Sequence, residues 1–158
     1  MPGYFSPLER KAWGGFLSAF SYINRVVEAD LQDRARITHA EFEILLRLMW
    51  ADDHRLRLQD LTAQSLLTRS GVSRTVERLE RAGLVNREEA REDRRGAYAI
   101  LTEAGVARFQ LAAEEHMTCV RQHFLGLFNE EELTAMAGFW KRIEDHHLSI
   151  QHQSPSKT

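Results

Sequence analysis

The sequence predicts a mainly α-helical fold that carries one small β-wing of two or three strands. Three observations point there. Stretches near both ends repeat apolar residues at helical spacing. Ser6, Thr38 and Asn129 each stand three residues before a glutamate, the spacing of a capping box at a helix start. Between Leu84 and Leu101 the helical period gives way to two short apolar stretches flanking a charged turn.

In the first helix Ser6 is the cap, Pro7 takes the opening position, and Trp13, Phe16, Leu17, Phe20, Ile23, Val27 and Leu31 form a broad apolar stripe. Thr38 opens a second helix with Phe42, Leu45, Leu46 and Met49 inside, ended by Asp52-Asp53-His54. Gln59 to Leu66 suits a short third helix. Thr68 caps a fourth that runs to Ala82 and stops at Gly83, a residue able to take the left-handed conformation after a helix. Leu84–Ala90 and Ala97–Leu101 read as strands joined by Arg91-Glu92-Asp93-Arg94-Arg95-Gly96. Thr102 caps a fifth helix with Val106, Phe109, Ala113, Met117, Val120, Phe124 and Leu127 on one side. Asn129 and Glu132 open a last one carrying Leu133, Met136, Trp140 and Ile143.

Three helices followed by a two-stranded ribbon make a winged helix-turn-helix. The terminal helices carry more apolar surface than so small a core can cover, and a stripe of that size predicts a dimer interface. One domain is expected. Residues 6–34 and 102–150 supply long terminal dimerisation helices, 38–101 the winged-helix lobe, and 151–158 a disordered polar tail.

Composition narrows the classes. The 158 residues hold 21 basic and 23 acidic side chains, a net −2, so cations must cluster locally if nucleic acid is the partner. Only Lys11, Lys141 and Lys157 among the basic residues are lysines. A single cysteine, Cys119, excludes an intrachain disulfide and a cysteine-only zinc cage. With no membrane-length apolar run and no signal-like start, a cytoplasmic protein is expected. Gly-rich phosphate loops, nucleophile motifs and HExxH are absent and the histidines are scattered, so an enzyme is not expected.

On a wheel centred on Val72, Val76 and Leu79 fall within about 40°, which makes that side of the fourth helix core. Ser70, Ser73, Arg74, Glu77, Arg78 and Arg81 cover the other side. Small hydroxyl residues followed by arginines suit insertion into a DNA major groove, where Arg74 reaches guanine or phosphate and Glu77 accepts from cytosine or holds Arg74 or Arg81. Free N–H groups near Thr68 and Arg69 add a phosphate site. Leu66 to Gly96 holds eight arginines against six acids. The competing reading of those charges is a solvated helix and hairpin.

The stretch from Leu61 to Gly105 resembles the MarR family (multiple antibiotic resistance regulators). The resemblance rests on Ser-Gly-Val-Ser-Arg at 70–74, Arg-Leu-Glu-Arg-Ala-Gly-Leu-Val at 78–85, Asp93-Arg94-Arg95, and Leu-Thr-Glu-Ala-Gly at 101–105. With agreeing helical flanks it extends over about residues 8–148. It implies a homodimer on palindromic double-stranded DNA, with recognition helices one turn apart. It also implies a wing that presses Arg95 into a minor groove, with Asp93 orienting it and Arg94 as a second candidate. Gln59 and Thr62 depart mildly from the family pattern, Gln59 at the position expected to cap the short helix.

The resemblance further implies repression relieved by a small aromatic or phenolic effector, for which Trp13, Phe16, Phe20, Phe42 and Trp50, with His39 or His54, are the candidate pocket. Aromatics at this spacing are also ordinary core. A zinc-responsive alternative uses His116, Cys119 and His123, which lie within about 60° on one helix. Another alternative is a protein-interaction module that has lost DNA binding. A cysteine redox switch and a resident cofactor are not expected.

Overall fold

The computed structural model of the chain describes residues 4–89 and 96–153, with side chains to residue 150. It falls into two compact units, one up to Val120 and one from Arg121. Helix α1 (Pro7–Asp30) begins on the expected capping box. Ser6 Oγ accepts from the Glu9 N–H at 3.2 Å, and the Glu9 carboxylate accepts from the Ser6 N–H at 2.6 Å. A π-helical turn, Leu31–Ala35, follows and stops at Arg36, whose φ of 57° is left-handed.

Helix α2 (His39–Met49) repeats the device. Glu41 N–H donates to Thr38 Oγ1 at 3.2 Å while the Glu41 carboxylate takes the Thr38 N–H at 2.8 Å. The helix ends at Trp50, before Asp52-Asp53-His54, which forms a separate 3-10 turn. Then come β1 (Arg55–Arg57), α3 (Leu58–Gln64), α4 (Arg69–Arg81), β2 (Val85–Glu89), β3 (Ala97–Leu101) and α5 (Glu103–His123). The strands form one antiparallel sheet in the order β1-β3-β2, so the hairpin gains a third strand. With β1 ending directly at α3, Arg57 rather than Gln59 occupies the cap of the short helix, and its side chain does not cap.

The core lies inside this unit. Ile44, Leu45 and Leu48 of α2, Leu61 of α3, Val72, Val76 and Leu79 of α4, and Val85 and Ala99 of the sheet are sealed from solvent. Helix α5 enters through Phe109, Ala112 and Cys119, a face rotated from the expected stripe. Val106, Ala113 and Val120 pack at its rim, and Met117 is exposed. Small residues let α5 approach closely, whereas a search for large apolar side chains passes over them. The helix ends at His123, so Phe124 and Leu127 fall beyond it.

Thr102 joins the wing to α5. Its Oγ1 accepts from the Gly105 N–H at 3.0 Å and donates to the Gly83 carbonyl at 2.8 Å, while its own N–H donates to the Leu84 carbonyl at 3.1 Å. Gly83 turns the chain with φ 71°.

In the second unit a 3-10 turn, Leu125–Leu127, is braced by an edge-on contact of Phe124 with Phe128. Helix α6 (Glu130–Gln153) starts on the Asn129–Glu132 capping box, both bonds 2.9 Å, and runs into the segment expected as a tail. No helix among the described residues is long and apolar enough to cross a membrane.

Two predictions follow from this packing. A Cβ at Gly105 would lie 2.1 Å from the Leu84 carbonyl oxygen, which Thr102 already fixes. Gly105→Ala is expected to cost about 3 kcal/mol and to lower the thermal unfolding midpoint by roughly 10 °C; an unchanged midpoint refutes this close approach.

The second concerns Arg78 of α4, whose Nε donates to Glu41 at 3.0 Å and so ties α4 to the cap of α2. Burial pushes the Glu41 carboxyl up, but the Thr38 N–H, the Arg78 guanidinium and the Thr38 hydroxyl outweigh it and hold it below its ordinary value. The folded state therefore binds this proton less readily than the unfolded chain. The stabilisation is present above the ordinary carboxylate range and lost as pH falls through the lowered value. Glu41→Gln keeps the cap acceptor but removes the charge. It should cost about 1 kcal/mol near neutrality and flatten the acid limb of a stability–pH curve; an equally steep limb sinks the assignment.

Candidate nucleic-acid interface

Helix α4 is aimed by the turn before it. Ser65 Oγ accepts from the Leu67 N–H at 2.8 Å, and Thr68 Oγ1 accepts from the Gly71 N–H at 3.2 Å, leaving the first N–H groups of the helix directed outward. Burial of Val72, Thr75, Val76 and Leu79 then sets its rotation. Ser70, Ser73, Arg74, Glu77 and Arg81 recur at i, i+3, i+4, i+7 and i+11 and are all exposed, as are Thr68 and Arg69.

Two residues of this face differ in their intrachain contacts. Arg78 is exposed at its edge, but its guanidinium bonds Glu41 and, at 3.4 Å, Thr75 Oγ1, so it positions α4. Glu77 forms no ion pair with Arg74 or Arg81 among the described residues. The wing-tip candidates Asp93, Arg94 and Arg95 lie outside the described residues.

Arg57 and Arg87, which the helix pattern alone does not single out, flank α4. A cleft of about 300 Å³ opens between α3, the start of α4 and the root of the wing, and Arg57, Arg69, Ser73 and Arg87 line it. Arg57 Nε donates to the Tyr98 hydroxyl at 2.9 Å, and Arg55 lies 3.9 Å over the Tyr98 ring while pairing with Glu88 at 3.2 Å. The pattern Arg55-Leu56-Arg57 was the available signal for this extra strand, but three residues fall below the length at which alternation is distinctive.

The expected aromatic pocket is not one site. Trp13, Phe16 and Phe20 stack successively along the exposed side of α1, at 5.7 and 6.2 Å between centroids. Phe42 is buried against Phe109 and His116, and His39 also stacks on His116. Trp50 stands 82% exposed at the end of α2, on a separate cleft of about 460 Å³ lined also by Arg47, Asp52 and Arg55. His54 lies in the 3-10 turn with φ 53°. Helical spacing places these rings on elements but says nothing of which elements meet.

The metal alternative fares no better. His116 turns toward Phe42 and His39, and burial, then His39, holds its imidazole below the ordinary value, favouring the neutral ring. Cys119 is buried in the core, where burial and then Asp30 raise its thiol against the opposing pull of Arg34. Among the described residues no three His, Cys, Asp or Glu side chains are grouped to hold an ion.

A family model described as MarR family matches residues 37–96, from the approach to α2 through the root of β3. The chain is 30% identical over 120 residues to the HTH-type transcriptional repressor YetL of Bacillus subtilis, covering 74% of this chain and 71% of that one. It superposes on AbsC, a MarR family transcriptional regulator from Streptomyces coelicolor, with a TM-score of 0.86 at 33% identity over 93% of this chain and 99% of that one. It also superposes on Sco3205, a MarR family regulator from the same organism in complex with DNA, with a TM-score of 0.84 at 27% identity over 99% and 95% of the two chains. With its helix-turn-helix, three-stranded wing and exposed polar helix face in place, the chain belongs to the MarR family and is a DNA-binding transcriptional regulator.

Proposed function

We propose that the protein is a homodimeric, cytoplasmic repressor that grips a palindromic operator with one α4 in the major groove per subunit. The observation that carries this is the rotation of α4. A buried inner face leaves Ser70, Ser73, Arg74, Glu77 and Arg81 as a continuous outer row, small side chains first and long cations a turn later. In this reading Arg74 reads a base, Arg69 and Thr68 approach phosphates, Arg95 probes the flanking minor groove with Asp93 orienting it, and Arg94 assists. Residues 38–101 act as the DNA-binding lobe.

Dimerisation through the terminal helices is supported by the apolar side chains each leaves uncovered. On α1 these are Trp13, Phe16, Leu17 and Phe20; on α6 they are Phe139, Trp140 and Ile143. Repression is supported by the name of the Bacillus relative and by simple occlusion, since a dimer on a promoter blocks polymerase without further contacts.

A small aromatic acid or phenol is the effector in this proposal. The cleft at Trp50 favours it, because an exposed indole offers a stacking surface and Arg47 on the same cleft offers positive charge to a carboxylate or phenolate.

Selection from a random DNA pool should enrich a palindrome whose half-sites are roughly 10–10.5 bp apart. On that duplex Arg74→Ala should cost about 1–3 kcal/mol and relax preference at one position of each half-site. Failure to enrich any sequence rejects the proposal. Titrating the complex with a panel of phenolic acids should release the DNA, with Trp50→Ala blunting the response while DNA affinity stays unchanged. If no acid releases DNA, the effector assignment falls and the DNA-binding one stands.

A further inference from the structure

Residues three apart on α2 and seven apart on α5 share a helix face, and these two faces meet ring to ring. His39 and Phe42 come from α2, Phe109 and His116 from α5. Phe42 stacks on Phe109 at 5.6 Å between centroids and lies tilted against His116 at 4.7 Å, while His39 stacks on His116 at 6.2 Å. His116 Nδ1 is buried and has no hydrogen-bond partner among the described residues. Polar ties accompany the rings. The His39 N–H donates to Glu28 at 2.9 Å, Arg34 Nη1 donates to Glu115 at 2.9 Å, and Arg108 Nη1 donates to the Ala35 carbonyl at 3.0 Å. Helix α5 is thereby fastened to the α1–α2 junction, the stretch that holds the π-helical turn and left-handed Arg36. Few charged groups surround His116. Helix α2 supplies His39, and α1 supplies Asp30, whose Oδ1 takes Arg34 at 2.9 Å and whose Oδ2 is buried without a described partner. On α5 itself the neighbours are Glu115, paired with Arg34, and the buried thiol of Cys119.

A neutral imidazole suits this seam and an imidazolium does not. A charge on a half-buried ring loses solvation, and a second proton on His39 would set two cations in stacked contact. Burial first, and His39 second, hold His116 below its ordinary 6.5, while the opposing pull of Asp30 ranks last. We propose that the His39–His116 pair is an acid-sensitive latch, closed while His116 is neutral and opened, with α5 coming away from α2, when that ring takes a proton. The wing joins the same helix, since Thr102 and Gly105 at the start of α5 meet the Gly83 and Leu84 carbonyls just after α4. An opened latch leaves the lobe that binds DNA less firmly held, so acid weakens the DNA complex. The closed state binds the proton less readily than the opened or unfolded chain. Its stabilisation is therefore whole above the ordinary imidazole range and is lost as pH falls through 6.5 toward the lowered value. The loss at Glu41 lies lower, in the carboxylate range, so the two separate on a pH scale.

The test takes the full-length protein from about pH 8 to about pH 5, the range in which imidazoles change charge. Thermal unfolding reads stability, fluorescence anisotropy on a duplex enriched from the random pool reads affinity, and NMR of the imidazoles reads His116 directly. Wild type should lose stability and affinity together in the lower part of that range, affinity by roughly fivefold, the low end of ordinary coupling between two sites. His116→Phe keeps a ring against Phe42 and His39 but takes no proton, so it should flatten both curves and leave affinity at about pH 8 unchanged. If it fails to fold, His116→Gln, which also takes no proton, replaces it. His39→Phe should move the wild-type transition to higher pH by removing the neighbouring imidazole. A His116 titration at or above 6.5 overturns the latch whatever the variants do. Flat wild-type curves overturn it too, as does a non-titrating variant that declines as steeply as wild type. Stability lost without affinity overturns the switch and leaves His116 a packing residue. Wild-type protein that binds no duplex at about pH 8 rejects the DNA-bound reading instead, and the unfolding and NMR curves still decide the latch.

Discussion

Helix α4 is held by the burial of Val72, Thr75, Val76 and Leu79 against a core built from Ile44, Leu45 and Leu48 of α2 and Leu61 of α3. Each large apolar side chain so buried contributes about 1.5–3 kcal/mol, so rotating the helix by one residue position would forfeit several of them together. That cost, rather than any polar contact, decides which side of α4 faces outward. The same burial leaves Ser70, Ser73 and Arg74 exposed on the outer row.

Polar contacts set the position of α4 along and across the core. Glu41 has two roles, closing the cap of α2 and receiving Arg78. Thr102 has three bonds, two to the Gly83-Leu84 turn and one to the α5 N-terminus. Gly105 lets α5 come against the same Leu84 carbonyl. The end of α4, the root of β2 and the start of α5 are thereby fixed to one another within a few ångströms.

What the sequence made legible was local. Capping boxes at Ser6, Thr38 and Asn129, the Thr68 cap and the Gly83 stop involve partners within a few residues, so their chemistry is written in the spacing. The inner face of α4 was legible because branched apolar residues at i, i+4 and i+7 leave one solution. Long-range placement was not. Nothing local to Arg78 names Glu41 as its partner, and nothing local to Phe42 separates it from Trp50 or Phe16. Helix α5 misled for a further reason: its inner face is made of Gly105, Ala112 and Cys119 with a single large ring, Phe109, while the conspicuous Met117 faces outward. Tight helix packing selects small residues, and a count of large hydrophobes points the wrong way.

Charge shows most sharply why position outweighs sum. Between Leu66 and Gly96 arginines exceed acids by two, a surplus too small to recommend a polyanion. Folding redistributes that surplus without changing it. Glu41, from outside the stretch, engages Arg78, and Arg55, also from outside, engages Glu88 and stacks on Tyr98. One cation and one acid are thus withdrawn, and the total stands. Arg69 and Arg87, however, share a cleft with Arg57, which the linear count never included, and no described carboxylate lines it. A field falls off over about 8–10 Å in physiological salt, so a polyanion senses the cations beside it far more than the chain's net charge. A chain with net charge −2 can therefore present a positive surface to DNA while the rest of its body stays acidic.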